Sequence, residues 1–224
     1  LSARVVGIAN SVAYNRSGRE SSDVPSAVSR LGFRTLRVLV TALLVRQMEG
    51  LPKVPEHRAL AGKLWEHTAH VAALARVIAA RVTHQDPDSA FFAGIVHEVG
   101  GFYLISRAAQ FPGLVTGDLL EWDEQGKAKV GRAVLRILGV PENILQAVEV
   151  LWEGFLAIPP ESLGDTLLLA DLLAPVQSPL NPLGMQRSPG SGVDLDIDID
   201  EETLSGILKD SAEEVDSLIA ALRV

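Results

Sequence analysis

The stretch LAGKLWEHTAHVAALARVIAARV, Leu60 to Val82, decides the fold. Leu64, Thr68, Val71, Ala75 and Ile78 recur in it at steps of three and four, which lines up one apolar face along a helix. The alanines leave room for a neighbouring helix to approach closely, so this is the expected central helix. Nearly every other segment repeats its apolar residues at the same helical spacing, and strand alternation is almost missing. The expected class is all-α.

Upstream, DVPSAVSRLGF from Asp23 opens with an Asp cap and a first-turn proline, and Gly32 is the expected end of that short helix in a left-handed turn. A longer helix is expected from Arg34 to Met48, with Leu36, Val40, Leu43 and Leu44 on its buried stripe. Downstream, DPDSAFFAGIVHEVGGFYLISRAAQF from Asp86 starts with a second Asp-Pro signal and points Phe91, Ile95, Val99 and Phe102 inward. Gly100 and Gly101 weaken the middle of this expected helix, since each glycine costs about 1 kcal/mol against alanine. VGRAVLRILGVPENILQAVEVLW reads as two helices joined at Gly139, the second starting at Pro141, and SLGDTLLLADLLAPV as one more that Pro175 ends. The expected organisation is a helical domain over 1–175, a Pro/Gly/Ser linker over 176–193 and an acidic amphipathic tail over 194–224. In the tail, Ser211 and Glu214 have capping-box spacing.

Composition narrows the function. The 224 residues include no cysteine, which excludes disulfides, thiolate metal sites and cysteine nucleophiles and fits a reducing, cytoplasmic setting. The apolar runs near the front fall far short of the roughly 20 residues a membrane span needs. No signal peptide is visible, and because Leu1 is not a start residue the chain reads as a piece of a longer protein. The net charge of −8 argues against nucleic acid as a partner, although it divides into +7 up to His84 and −15 beyond. Arg30, Arg34 and Arg37 share one helical face, which a solvated surface explains as well as a nucleic-acid surface does.

The costly residues lie in apolar surroundings. In FFAGIVHEVGG, His97 and Glu98 follow an apolar run; His67 sits mid-face on the central helix, with His70 a turn later; Asp171 is embedded in LLLADLLA. Burying Asp171 alone would cost several kcal/mol, so it needs a cation, a histidine or backbone donors. His67, His97, Glu98 and Asp171 together would supply two imidazoles and two carboxylates, a donor set for Mn, Fe, Zn or Mg. A hydrogen-bonded core histidine is the plainer reading of either imidazole. The acidic run DLDIDID (Asp194, Asp196, Asp198, Asp200) fails as a calcium loop, because Ile199 holds the position that needs glycine and Ser205 the position of the bidentate Glu.

RVVGIANSVAYN, VPSAVSRLGFRTLRVLVTALLV, LWEHTAHVAALARVIAARV and DPDSAFFAGIVHEVGGFYLI together resemble the HDOD domain, the HD-related output domain of bacterial signalling proteins. Asn10-Ser11, Leu31-Gly32, Trp65 before His67, and Gly94 before His97 carry most of the likeness, which extends to LLLADLLA and implies that the chain begins inside the domain. The resemblance implies an HD-like helical bundle distantly similar to the HD and HD-GYP phosphohydrolases, whose metal set is a His, a His-Asp doublet and a distant Asp. These fall on His67, on His97 and Glu98, and on Asp171. Glu98 stands where the pattern has Asp, Gly101 where catalytic relatives carry a phosphate-supporting lysine, Leu151-Trp152 where a His pair is frequent, and Lys127 near a further expected histidine. The resemblance therefore implies a non-catalytic regulatory module for a protein partner, a neighbouring signalling domain or a small ligand. A metal-dependent phosphohydrolase acting on a nucleotide or cyclic dinucleotide is the alternative. No cofactor is expected beyond a vestigial divalent metal, and self-association through the tail is compatible with the sequence.

Overall fold

Fifteen residues of the long helix α3, Pro55–Arg81, are buried, among them Leu64, His67, Thr68, Val71, Ala75 and Ile78, as its spacing predicts. The computed structural model describes residues 2–11, 14–15, 18–111, 128–157, 159–180, 206, 209 and 212–223. Among these residues every regular element is a helix, which makes the fold an all-α bundle. Around α3 stand α1 (Ser2–Ala9), α2 (Val24–Glu49), α4 (Pro87–Val96), α5 (Val99–Arg107), α6 (Ala128–Ile137), α7 (Glu142–Glu153), α8 (Leu163–Leu173) and α9 (Ala212–Arg223). The acidic run Asp194 to Asp200, Lys127 and most of the expected linker lie outside the described residues.

Helix ends follow local chemistry. Asp23 accepts from Ser26 N at 2.8 Å and Asp86 from Ser89 N at 3.1 Å, each just before a proline in the first turn. Ser162 and Asp165 form a reciprocal capping box on α8. Gly32 breaks α2 as expected, but with φ 76° and ψ 165° it is extended beyond the left-handed turn that the sequence suggested. The buried stripe of α2 also differs from expectation. Val40 and Leu44 are exposed and Leu36 and Leu43 only partly buried, while Thr35, Ala42 and Val45 face the core, a second stripe of helical spacing that packing selects over the leucines.

The single helix expected from Asp86 to Phe111 is two, and the break falls at His97-Glu98 rather than at the glycine pair. Gly100 and Gly101 sit inside α5, both buried. By length and composition Pro87–Arg107 would suffice to cross a membrane, yet 83% of its most apolar window is buried in the bundle. Phe91, Ile95, Val99 and Phe102 are all fully buried there. Asp88 in the first turn of α4 ties several elements together: Tyr14 Oη and Thr35 Oγ1 each donate to it at 3.0 Å, and the Arg76 guanidinium of α3 pairs with it.

Helices α3 and α4 meet most closely where Gly94 lies against Ala72. A Cβ on Gly94 would fall 2.9 Å from the Ala72 backbone nitrogen and nearer still to its Cα. Backbone cannot swing aside as a side-chain tip can. Gly94→Ala gains about 1 kcal/mol of helix propensity, but forcing the helices apart costs about 1–3 kcal/mol or more. A net loss of about 2 kcal/mol is the expected outcome, read as a lower urea midpoint, and an unchanged or raised midpoint would contradict the close approach.

Candidate functional site

His67 projects from the middle of α3, His97 and Glu98 occupy the break between α4 and α5, and Asp171 lies near the end of α8. The α3–α4 contact brings the two imidazoles together edge-on, with ring planes 65° apart and His67 Nε2 3.2 Å from His97 Nε2. Asp171 Oδ1 lies 3.2 Å from the same His67 nitrogen. Ligand atoms of His67, His97 and Glu98 all fall within 4.8 Å of one another, and all three residues are about 1% exposed. Asp171, at 22% side-chain exposure, is the one member open to solvent.

The other ring nitrogens settle the tautomers. His67 Nδ1 lies 2.8 Å from the Val176 carbonyl and His97 Nδ1 2.7 Å from the Gly94 carbonyl. A carbonyl oxygen only accepts, so each Nδ1 carries the hydrogen and each neutral ring turns a bare Nε2 inward. Two lone pairs and a carboxylate oxygen then converge with no donor among them, which demands a positive species: a proton or a cation. The same arrangement, Nδ1–H fixed on a carbonyl and Nε2 free, is how metal-binding histidines are oriented. The donor set of His67, His97 and Glu98 fits a divalent ion, with Asp171 beside His67.

In the protein alone the proton takes that place. Burial disfavours charge on His67, but the Asp171 hydrogen bond and charge, the Glu98 charge and the Val176 carbonyl outweigh it and hold the pKa above its ordinary value. His97 goes the other way. Complete burial and the neighbouring His67 lower it to about 4 against the pull of Glu98 and Asp171. Below its raised pKa His67 carries the proton, which Asp171 Oδ1 and His97 Nε2, each 3.2 Å away, are placed to accept.

A short segment closes the arrangement from above. Ser178 Oγ donates to Glu98 Oε1 at 2.9 Å, and Leu180, buried, rests over Gly101, where an added Cβ would lie 2.5 Å from its Cδ1. These residues fall in the expected linker, which begins against the body and bonded to it. Sequence reading missed Val176 and Ser178. Their signal was only their position just after Asp171 between two prolines, which composition marks as linker. Of the other candidates, His70 stays outside the cluster with Nδ1 donating to Glu66 O at 2.8 Å. Trp152, where a His pair is frequent in the resembled family, packs on Gly131, its Cζ2 2.7 Å from where a Cβ would stand. Arg30 of the basic face serves the fold, donating to the Ala9, Asn10 and Arg19 oxygens.

The chain matches the HDOD domain family over residues 1–150. No curated protein matches it. A crystal structure from Shewanella amazonensis SB2B, described as a candidate metal-dependent phosphohydrolase, superimposes with a TM-score of 0.70 at 20% identity, covering 99% of this chain and 80% of the other. An HDOD domain protein of unknown function from Geobacter sulfurreducens gives 0.63 at 23% identity, covering 98% and 80%. At such identities the likeness speaks for the fold alone.

The two histidines load stability with opposite pH signs. With a folded pKa of about 4, His97 leaves the unfolded chain to take up a proton that the native state refuses, so stability falls as pH drops from 6.5 towards 4. His67, raised, contributes stability that is complete below the unfolded value of 6.5 and is lost as pH climbs through its folded value. Urea midpoints are expected to fall by on the order of 1 kcal/mol per pH unit between pH 6 and 4.5 wherever the His97 effect dominates. His97→Gln is expected to flatten that limb, and an equal slope in this variant would show that the acid sensitivity lies elsewhere.

Proposed function

The chain belongs to the HDOD family, and from that premise we propose that it is a non-catalytic signal-transduction module, whose histidine–carboxylate quartet holds the domain together and faces a protein partner or small ligand without turning over a phosphoester. The observation that carries this reading is the state of position 101. In the resembled hydrolases a lysine there supports phosphate; here Gly101 offers no side chain, and the space over it is filled by Leu180.

Burial points the same way. A phosphoester hydrolase must bring a water and a phosphoryl group against its donor atoms, whereas His67, His97 and Glu98 are sealed and Glu98 is occupied by Ser178. Trp152 packs where an additional histidine ligand is frequent. The family's role as an output domain of bacterial signalling proteins suits a body whose state is passed to a neighbour, with a cytoplasmic setting consistent with the absence of cysteine.

One observation favours a metal-dependent hydrolase as the second reading: both imidazoles are turned with Nε2 inward, as ligands are. A bound divalent ion would polarise a phosphoryl oxygen and lower the pKa of a coordinated water. His67 and His97 would hold it with lone pairs oriented by the Val176 and Gly94 carbonyls, and Asp171 would face the solvent side.

Purified protein supplied with Mn²⁺ is expected to leave p-nitrophenyl phosphate, bis-p-nitrophenyl phosphate and a cyclic dinucleotide unhydrolysed. In the same preparation Asp171→Asn is expected to lower the melting temperature by several degrees, since about 1 kcal/mol shifts a domain of this size by about 2–4 °C. Turnover that Asp171→Asn abolishes while the melting temperature stays put would establish the hydrolase instead.

A further inference from the structure

After α8 ends at Leu173 the chain doubles onto the quartet and touches it at alternate residues. The Val176 carbonyl accepts from His67 Nδ1–H, Ser178 Oγ donates to Glu98 Oε1, and the Leu180 side chain covers Gly101. Each contact reaches a different element, α3, the α4–α5 break and α5, so the segment closes over the point where these meet. Pro175 and Pro179 alternate with the anchors and bring no N–H donors, which deprives the segment of a regular backbone ladder. Gly101 completes the seat, because any side chain there would meet the Leu180 methyl and also press on Leu64 Cδ2 and Glu98 Oε2, each 3.2 Å from the added Cβ.

We propose that Val176–Leu180 is a strap that opens as a unit from an otherwise intact helical body, and that its release uncovers the Glu98 carboxylate and the notch at Gly101 and frees His67 Nδ1–H for another acceptor. This deepens the module reading above and rests on the quartet being the ligand-facing site. The physical basis is the contrast between the two parts. The body is held by a continuous apolar core through α3, α4, α5 and α8, whereas of the five strap residues only Leu180 joins that core and the contacts of Val176 and Ser178 are side-chain hydrogen bonds, so its opening free energy lies below that of global unfolding. Closed, the strap fixes the His67 tautomer, occupies Glu98 and fills the notch at Gly101. Open, it frees all three together. It also joins the quartet directly to the chain that follows Leu180, so a pull on that following segment and a ligand at the quartet would act on the same five residues.

The chain has no cysteine, so Leu180→Cys installs a single thiol at the deepest anchor of the strap. The test is alkylation of that thiol by N-ethylmaleimide in the intact 224-residue protein across urea concentrations below the helical unfolding transition followed by circular dichroism. The expected result is labelling at least tenfold slower than in an unstructured peptide, with a shallow urea dependence that parts from the global transition. Adding Ser178→Ala, which removes the bond to the Glu98 carboxylate, is expected to speed labelling about tenfold while the helical transition shifts far less. Labelling that tracks global unfolding, labelling as fast as in the peptide, or an unchanged rate with Ser178→Ala would each overturn the strap. Phosphoester turnover by the unmodified protein would remove the non-catalytic reading and leave the thiol result standing, so the two failures are told apart.

Discussion

The contact between Ala72 of α3 and Gly94 of α4 is the constraint on which the rest of the structure depends. Two backbones that approach this closely leave no slack in the position of anything one turn further on. His97 Nδ1–H is bonded to the Gly94 carbonyl itself, so the residue that sets the helix spacing also aims the imidazole. On the facing helix His67 is buried as Ala72 is, and its Nε2 meets that of His97 at 3.2 Å. Packing at a small residue is thereby converted into an electrostatic requirement.

That requirement cannot be met by the groups themselves. Both rings spend their hydrogens on carbonyls, Asp171 and Glu98 bring only negative charge, and a low-dielectric interior magnifies the mismatch. A proton on His67 resolves it in the protein alone, at the cost of keeping His97 neutral, and a divalent ion would resolve it in the same geometry. The break between α4 and α5 has its physical use here. His97 keeps helical dihedrals and Glu98 departs from them, and both are buried beside His67 at that break.

Closure over the site comes from the chain's next segment and depends on what position 101 lacks. A lysine there would drive out Leu180 and bring charge to the place where a phosphate would sit; glycine lets the leucine settle and the strap seat itself on His67 and Glu98. Position 101 and the segment that covers it thus pack as one unit.

Much of this was legible in the residues. The spacing of Leu64, Thr68, Val71, Ala75 and Ile78 determined a central helix and its buried face, Asp23 and Asp86 determined where helices start, and the isolation of Asp171 among leucines announced a partner. These are local facts, written in three- and four-residue steps. The stripe of α2 misled because Thr35, Ala42 and Val45 keep helical spacing as the leucines do and only packing chooses between the two faces, and one helix was expected where two occur because nothing in the apolar pattern marks the interruption at His97-Glu98. Only the tertiary structure decided which histidine carries the proton, that His70 stands apart, and that the stretch read as linker reaches back across a sequence separation of more than a hundred residues to hold His67. Tautomer and charge depend on atoms brought within about 3 Å by packing, and no periodicity along the chain encodes which distant carbonyl will arrive there.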